Sequence, residues 1–74
     1  MVWHDCKTDP PKKSGLYILC FLTPRGKSWD RAYYHCDDMV WEDIGCLALY
    51  GVKDDGYELY IPYKWAEVDL SEVE

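Results

Sequence analysis

Basic side chains are scarce in this sequence: 8 Lys and Arg stand against 14 Asp and Glu, for a formal charge of -6. That balance argues against direct nucleic-acid binding, which draws on a basic stripe to neutralise phosphates. No Gly-rich phosphate loop is present, since Gly26 and Gly51 stand alone, and no Cys-x-x-Cys pair, calcium-loop spacing or internal repeat occurs. No apolar window approaches the length of a membrane span, and Met1-Val2-Trp3-His4-Asp5 lacks the basic stretch followed by an apolar run that marks a secretory signal. The expected setting is the cytosol, away from membranes. There thiols stay reduced, so cysteines at 6, 20, 36 and 46 are expected as thiols or metal ligands rather than two disulfides.

Aromatic residues, by contrast, are abundant. Four Trp, seven Tyr and one Phe make up 16% of 74 residues. Each can bury roughly 150 to 250 Å², enough to give a core to a chain near the lower size limit for independent folding. One domain spanning 1–74 is expected. Its charge is uneven. Residues 1–36 carry Lys7, Lys12, Lys13, Arg25, Lys27 and Arg31 against Asp5, Asp9 and Asp30, whereas residues 37–74 hold eleven carboxylates against Lys53 and Lys64. An acidic surface of this kind steers toward basic proteins.

The apolar pattern predicts a mainly β fold, α+β at most, with a small antiparallel sheet of four to five strands. A short extended segment at 3–6 is ended by the Pro10-Pro11 loop; strands follow over 16–22, 29–35 and 39–44, with turns at 23–28 and at Asp37-Asp38. Over 46–52 periodicity leaves a strand and a single helical turn both open. After an Asp55-Gly56 turn, the alternation of Tyr57, Leu59, Ile61, Tyr63 and Trp65 predicts a last strand over 57–65. Pro62 cannot donate to a ladder, which places that strand at an edge or interrupts it there. Residues 69–74 read as a frayed tail. Trp29 and Trp41, on neighbouring strands, read as core.

The skeleton Trp3, Pro10-Pro11, Gly15-Leu16-Tyr17, Ala32-Tyr33-Tyr34, Trp41 and Ile61-Pro62-Tyr63-Lys64-Trp65 resembles a family of small domains of unknown function common in phages and prophages. The likeness runs over nearly the whole chain, although Lys64-Trp65-Ala66-Glu67-Val68 lacks the His, Met and second Pro of that family's terminal stretch. The resemblance implies a phage-encoded protein acting in the host bacterial cytosol. Small acidic phage proteins include inhibitors of host defence, so it further implies an anti-CRISPR type of inhibitor, a monomer whose partner is a Cas nuclease such as Cas9 and whose effect is to block nucleic-acid loading.

Three constellations could carry chemistry. His4 and Cys6 lie two apart on one predicted strand face, and His35 and Cys36 close a strand whose end should meet the loop after Cys6; together they form a candidate zinc site, with Cys20 and Cys46 left out. A Cys36 nucleophile with His35 as its base is excluded, because adjacent strand residues face opposite sides. No enzyme is expected. The carboxylates Asp37, Asp38, Glu42, Asp43, Asp54, Asp55, Glu58, Glu67 and Asp69 form the expected partner-binding surface, in competition with a merely solubilising role. A competing expectation is a structural or regulatory domain that self-associates through an edge strand at 57–65.

Overall fold

A computed structural model describes residues 2–68. Among them there is no helix: five strands form one antiparallel sheet in the order β1-β5-β2-β3-β4. The strands are β1 (His4–Asp5), β2 (Gly15–Thr23), β3 (Gly26–His35), β4 (Val40–Asp43) and β5 (Ile61–Glu67). The mainly β reading is therefore correct, and neither a strand nor a helical turn forms over 46–52. That segment instead forms turns and two isolated bridges, Glu42 to Leu49 and Tyr50 to Tyr57.

The β2–β3 hairpin is the backbone of the sheet, paired without a break from Gly15 opposite Tyr34 to Thr23 opposite Gly26. Both strands run farther than the apolar pattern indicates because the turn is only Pro24-Arg25. Thr23 Oγ1 accepts the Arg25 N–H at 3.1 Å and donates to the Gly26 carbonyl at 2.9 Å, while Gly26 has a φ of 126°, which a side chain would oppose. From β3 the chain returns through residues 36–39 into β4, with Met39 in the left-handed region at φ 56°.

β5 does not start at Tyr57 and does not lie at an edge. Its first residue is Ile61, and it runs between β2 and β1, with His4 opposite Trp65 and Asp5 opposite Lys64. The interruption expected at Pro62 is real: the β2–β5 register shifts between Cys20, which faces Lys64, and Phe21, which faces Pro62. Tyr63 is the extra residue of a bulge, and Pro62 sits beyond the reach of β1, where no partner needs its missing N–H.

To pass from β4 to β5 the connection 44–60 crosses one face of the sheet, hereafter the inner face, and closes the core. Leu19, fully buried, packs there with Phe21, Ala32, Tyr34, Trp41, Tyr50 and Trp65. The crossing chain contributes aromatic rings: Tyr50 lies 4.7 Å from Phe21 and 5.2 Å from Tyr57, which stacks on Tyr60 at 4.6 Å. At the other end Tyr17 meets Trp65 edge-on at 5.0 Å and Trp41 at 6.0 Å. Such ring pairs add roughly 0.5–1.5 kcal/mol each beyond the area they bury. This is how so short a chain with a one-sided core holds together.

Candidate functional site: the outer face of the sheet

Strand alternation sends Leu16, Ile18, Cys20 and Leu22 away from the core, and nothing among the described residues crosses that side of the sheet. β3 sends Trp29 and Tyr33 to the same side, opposite Cys20 and Leu16. Trp29 is thus not a core residue, contrary to its sequence reading: it is 66% exposed, while Trp41 is buried as expected. Trp3, 40% exposed, reaches the same side from beyond β1, and with Ile18, Cys20 and Trp29 it lines a shallow apolar cleft of about 240 Å³. Leu16 (43%), Leu22 (41%) and Tyr33 (37%) extend the exposed apolar surface along the hairpin.

Cations sit among these side chains. Lys64 faces outward opposite Cys20, with Nζ 4.7 Å from the Trp3 ring and 5.8 Å from that of Tyr63; Lys27 Nζ lies 5.7 Å from the Tyr63 ring, and Arg31 stands opposite Ile18. The β5 bulge turns Tyr63 toward Cys20, and burial, followed by the Cys20 thiol, raises the Tyr63 hydroxyl above its ordinary pKa. Along β5, β2 and β3 the outward positions carry these three cations and no carboxylate. Asp5 and Glu42 stand at the two margins, on β1 and β4.

The candidate zinc ligands do not converge. His4 stacks on Trp65 at 4.5 Å and its Nδ1 hydrogen-bonds Asp9 Oδ2 at 2.8 Å, whereas His35, beside Tyr33, hydrogen-bonds Glu42 Oε1 through Nε2 at 3.1 Å. Cys6 and Cys36 do pack against the same core, as the strand order indicated, but neither histidine joins them. Among the described residues no three His, Cys, Asp or Glu side chains are grouped as metal ligands. Burial pushes the Cys6 thiol up to about 12, so it is uncharged at neutral pH. Cys36 shares two hydrogen bonds with Ser14, its N–H donating to Oγ at 2.9 Å and its Sγ accepting from Oγ at 3.3 Å.

The acidic set is divided. Asp43 and Asp55 are structural: Asp43 Oδ1 accepts the Gly45 and Cys46 N–H groups at 2.6 and 3.2 Å while Oδ2 accepts the Tyr50 hydroxyl at 3.1 Å, and Asp55 Oδ1 accepts the Leu49 N–H at 2.9 Å. Burial alone would raise the Asp43 pKa, but these donors outweigh it and hold the carboxyl below its ordinary value. Glu58 Oε2 accepts the Asp54 N–H at 3.1 Å, and Glu42 is taken by His35. Asp37, Asp38, Asp54 and Glu58 remain exposed on loops. Glu67 lies apart, in a cleft with His4, Asp9, Lys12, Lys13 and Tyr17, and Asp69 falls outside the described residues, as does the tail read as frayed. That cleft holds a His4–Asp9 pair but no Ser or Cys lines it, so the pair ties β1 to the Pro10-Pro11 loop instead of activating a nucleophile. Trp65 Nε1 reinforces the tie by donating to the Asp9 carbonyl at 2.7 Å.

Sequence reasoning missed the outer face because β2 is apolar on both sides, so its pattern does not say which side is core. The available signal was the clustering of Lys27, Trp29, Arg31 and Tyr33 at alternate positions of one strand. No helix of the described residues is long and apolar enough to cross a membrane. In comparisons with known proteins the chain matches no family, and no curated protein or solved structure is significantly similar to it.

Proposed function

We propose that the chain is a non-catalytic docking domain that meets a macromolecular partner with the outer face of its sheet. The observation that carries this reading is the one-sided core: the inner face is closed by the connection 44–60, while Trp3, Leu16, Leu22, Trp29 and Tyr33 stay exposed together on the other. Trp29 and Trp3, the exposed tryptophans, both stand on this face, with Tyr33 beside them, and exposed Trp and Tyr are the side chains that dominate contact energies. Supporting the non-catalytic half of the reading, neither histidine hydrogen-bonds a cysteine or serine among the described residues, and the carboxyl groups with lowered pKa values, Asp5 and Asp43, are held by backbone N–H groups of turns.

A second reading comes from the family resemblance: a phage-encoded inhibitor whose acidic loops occupy the basic groove of a Cas-type nuclease. The exposed positions of Asp37, Asp38, Asp54 and Glu58 favour it. Retention of partners from bacterial lysate on the immobilised chain separates the two. Under the docking-face reading, Ile18→Glu or Trp29→Ala abolishes retention, and an Asp37→Asn/Asp38→Asn/Asp54→Asn variant leaves it intact. The reverse pattern favours the acidic loops. Self-association through the same face would appear as a dimer in sedimentation equilibrium that Ile18→Glu dissociates.

A further inference from the structure

Resting on the docking-face reading, we infer that the outer face of the sheet binds single-stranded nucleic acid, with bases stacked on its exposed rings and phosphates neutralised by Lys27, Arg31 and Lys64. The whole-chain charge of -6 argues the other way, but it averages over surfaces that the fold separates. Asp54, Asp55 and Glu58 belong to the connection that covers the inner face, so the body of the sheet and its core stand between them and the outer side. The loop carboxylates therefore lie on the far side of the sheet from a ligand on the outer face, and counter-ions in the solvent around them, where the Debye length is about 8 Å, weaken their reach around the edges. Such a ligand meets only cations along the three central strands.

Charge alone would admit any polyanion. The rings narrow the choice. Trp29 and Tyr33 lie on the same side of β3, four residues or roughly 13 Å apart, with Trp3 and Tyr63 across β2 from them. Flat rings exposed on a sheet and interleaved with cations offer what an unpaired strand needs, a π-surface for each of several bases and a counter-charge for the backbone between them. A duplex hides its base faces and cannot use the rings, and a purely acidic peptide, with no apolar or flat group of its own, would use the cations but not the rings. Arg31, opposite Ile18 and two residues from both Trp29 and Tyr33, sits where a phosphate linking two stacked bases would pass.

The test is fluorescence anisotropy of end-labelled dT12 and rU12 with the purified full chain between 50 and 300 mM salt, alongside a labelled DNA duplex of equal length and poly-glutamate. Three phosphate contacts to a single strand give a slope of log K against log salt of about -2. Trp29→Ala should weaken oligonucleotide binding by roughly ten-fold, and Arg31→Gln should make the slope shallower by about 0.7. Both side chains are exposed, so circular dichroism of the variants should match the wild type. Failure to bind either oligonucleotide at 50 mM salt overturns the inference, as does equal affinity for poly-glutamate or indifference to Trp29→Ala. If oligonucleotides fail while lysate retention is still lost in Trp29→Ala, the docking face stands and its ligand is a protein. If Trp29→Ala changes neither, the docking face itself is refuted.

Discussion

Asp43→Ala should be the most damaging change available at a partly exposed carboxylate. Asp43 ends β4 and launches the connection that roofs the core, and it does so through three hydrogen bonds: two from the backbone N–H groups of Gly45 and Cys46 and one from the Tyr50 hydroxyl. The two turn bonds are open to water, and their loss costs roughly 0.5–1 kcal/mol each. The third differs in kind. Tyr50 is a buried core residue wedged between Phe21 and Tyr57, and without Asp43 its hydroxyl is left buried with no acceptor, at about 1–3 kcal/mol. The sum is about 3 kcal/mol, which for a domain of this size lowers Tm by roughly 12–24 °C. Tyr50→Phe removes the hydroxyl itself and should cost only about 1 kcal/mol, because the carboxylate it leaves can turn to water. The double variant should therefore be about 1–2 kcal/mol less destabilised than the two single variants added together. Urea denaturation of the four proteins measures this. Costs that add to within about 0.3 kcal/mol, or an Asp43→Ala penalty below about 0.5 kcal/mol, would refute the claim that this carboxylate fastens the roof to the sheet.

The remaining expectations concern pH, packing, metal and thiols. Hydrogen bonds from the Thr8 and Lys7 N–H groups lower the Asp5 pKa, and Asp43 is lowered as well, so each group binds a proton less readily folded than unfolded. Their contribution is fully present above the unfolded value of about 3.9 and is lost as pH falls through the folded values, so urea midpoints should be insensitive to these groups from pH 5 to 8 and drop below about pH 4, less so in Asp43→Asn. Trp65→Ala should cost about 3–5 kcal/mol, because that ring is buried against Tyr17 and His4 and anchors Asp9, whereas Trp29→Ala should shift Tm by no more than about 3 °C; equal effects would contradict the assignment of faces. With His4, Cys6, His35 and Cys36 unassembled, EDTA should leave Tm unchanged, and a fall on chelation would reveal a site. Exposed Cys46 should react with iodoacetamide at pH 8 well before Cys6, whose burial holds it neutral; mass spectrometry of the partly modified chain reads the order.

Local chemistry makes much of the sheet legible. Turn residues place β2 and β3 in sequence, with Gly15 before them, a turn within 23–28 between them and Asp37-Asp38 after them, although that turn shrinks to Pro24-Arg25 and β3 starts three residues earlier than 29. The errors share a different cause, the need for information from distant chain. Alternation from Tyr57 to Trp65 has the look of one strand, yet Tyr57 and Tyr60 stack on each other in a turn and the bulge at Tyr63 shifts the phase of the strand beyond it. Trp29 and Trp41 are chemically alike and sit on adjacent strands; only the crossing of 44–60 decides which of their two faces becomes core. Asp43 and Asp55 group with the surface carboxylates in sequence because their acceptor role depends on Tyr50 and Leu49, residues whose positions no local pattern fixes. His4, Cys6, His35 and Cys36 fail as a set for the same reason: strand order brings the cysteines to one core, but side-chain partners draw the histidines away.

The insertion of β5 between β1 and β2 fixes an order of assembly on the ribosome. The β2–β3–β4 meander can pair as it emerges, since its contacts are local. Among the described strands β1, however, pairs only with β5, which is translated after β2, β3 and β4, so His4 waits for Trp65 and Asp5 for Lys64. Until Glu67 leaves the exit tunnel, one flank of β2 is an open template and the roof has no anchor at its far end. A nascent chain stalled before Ile61 should thus be protease-sensitive in β1 as well as in the connection 44–60, and emergence of β5 should protect both together.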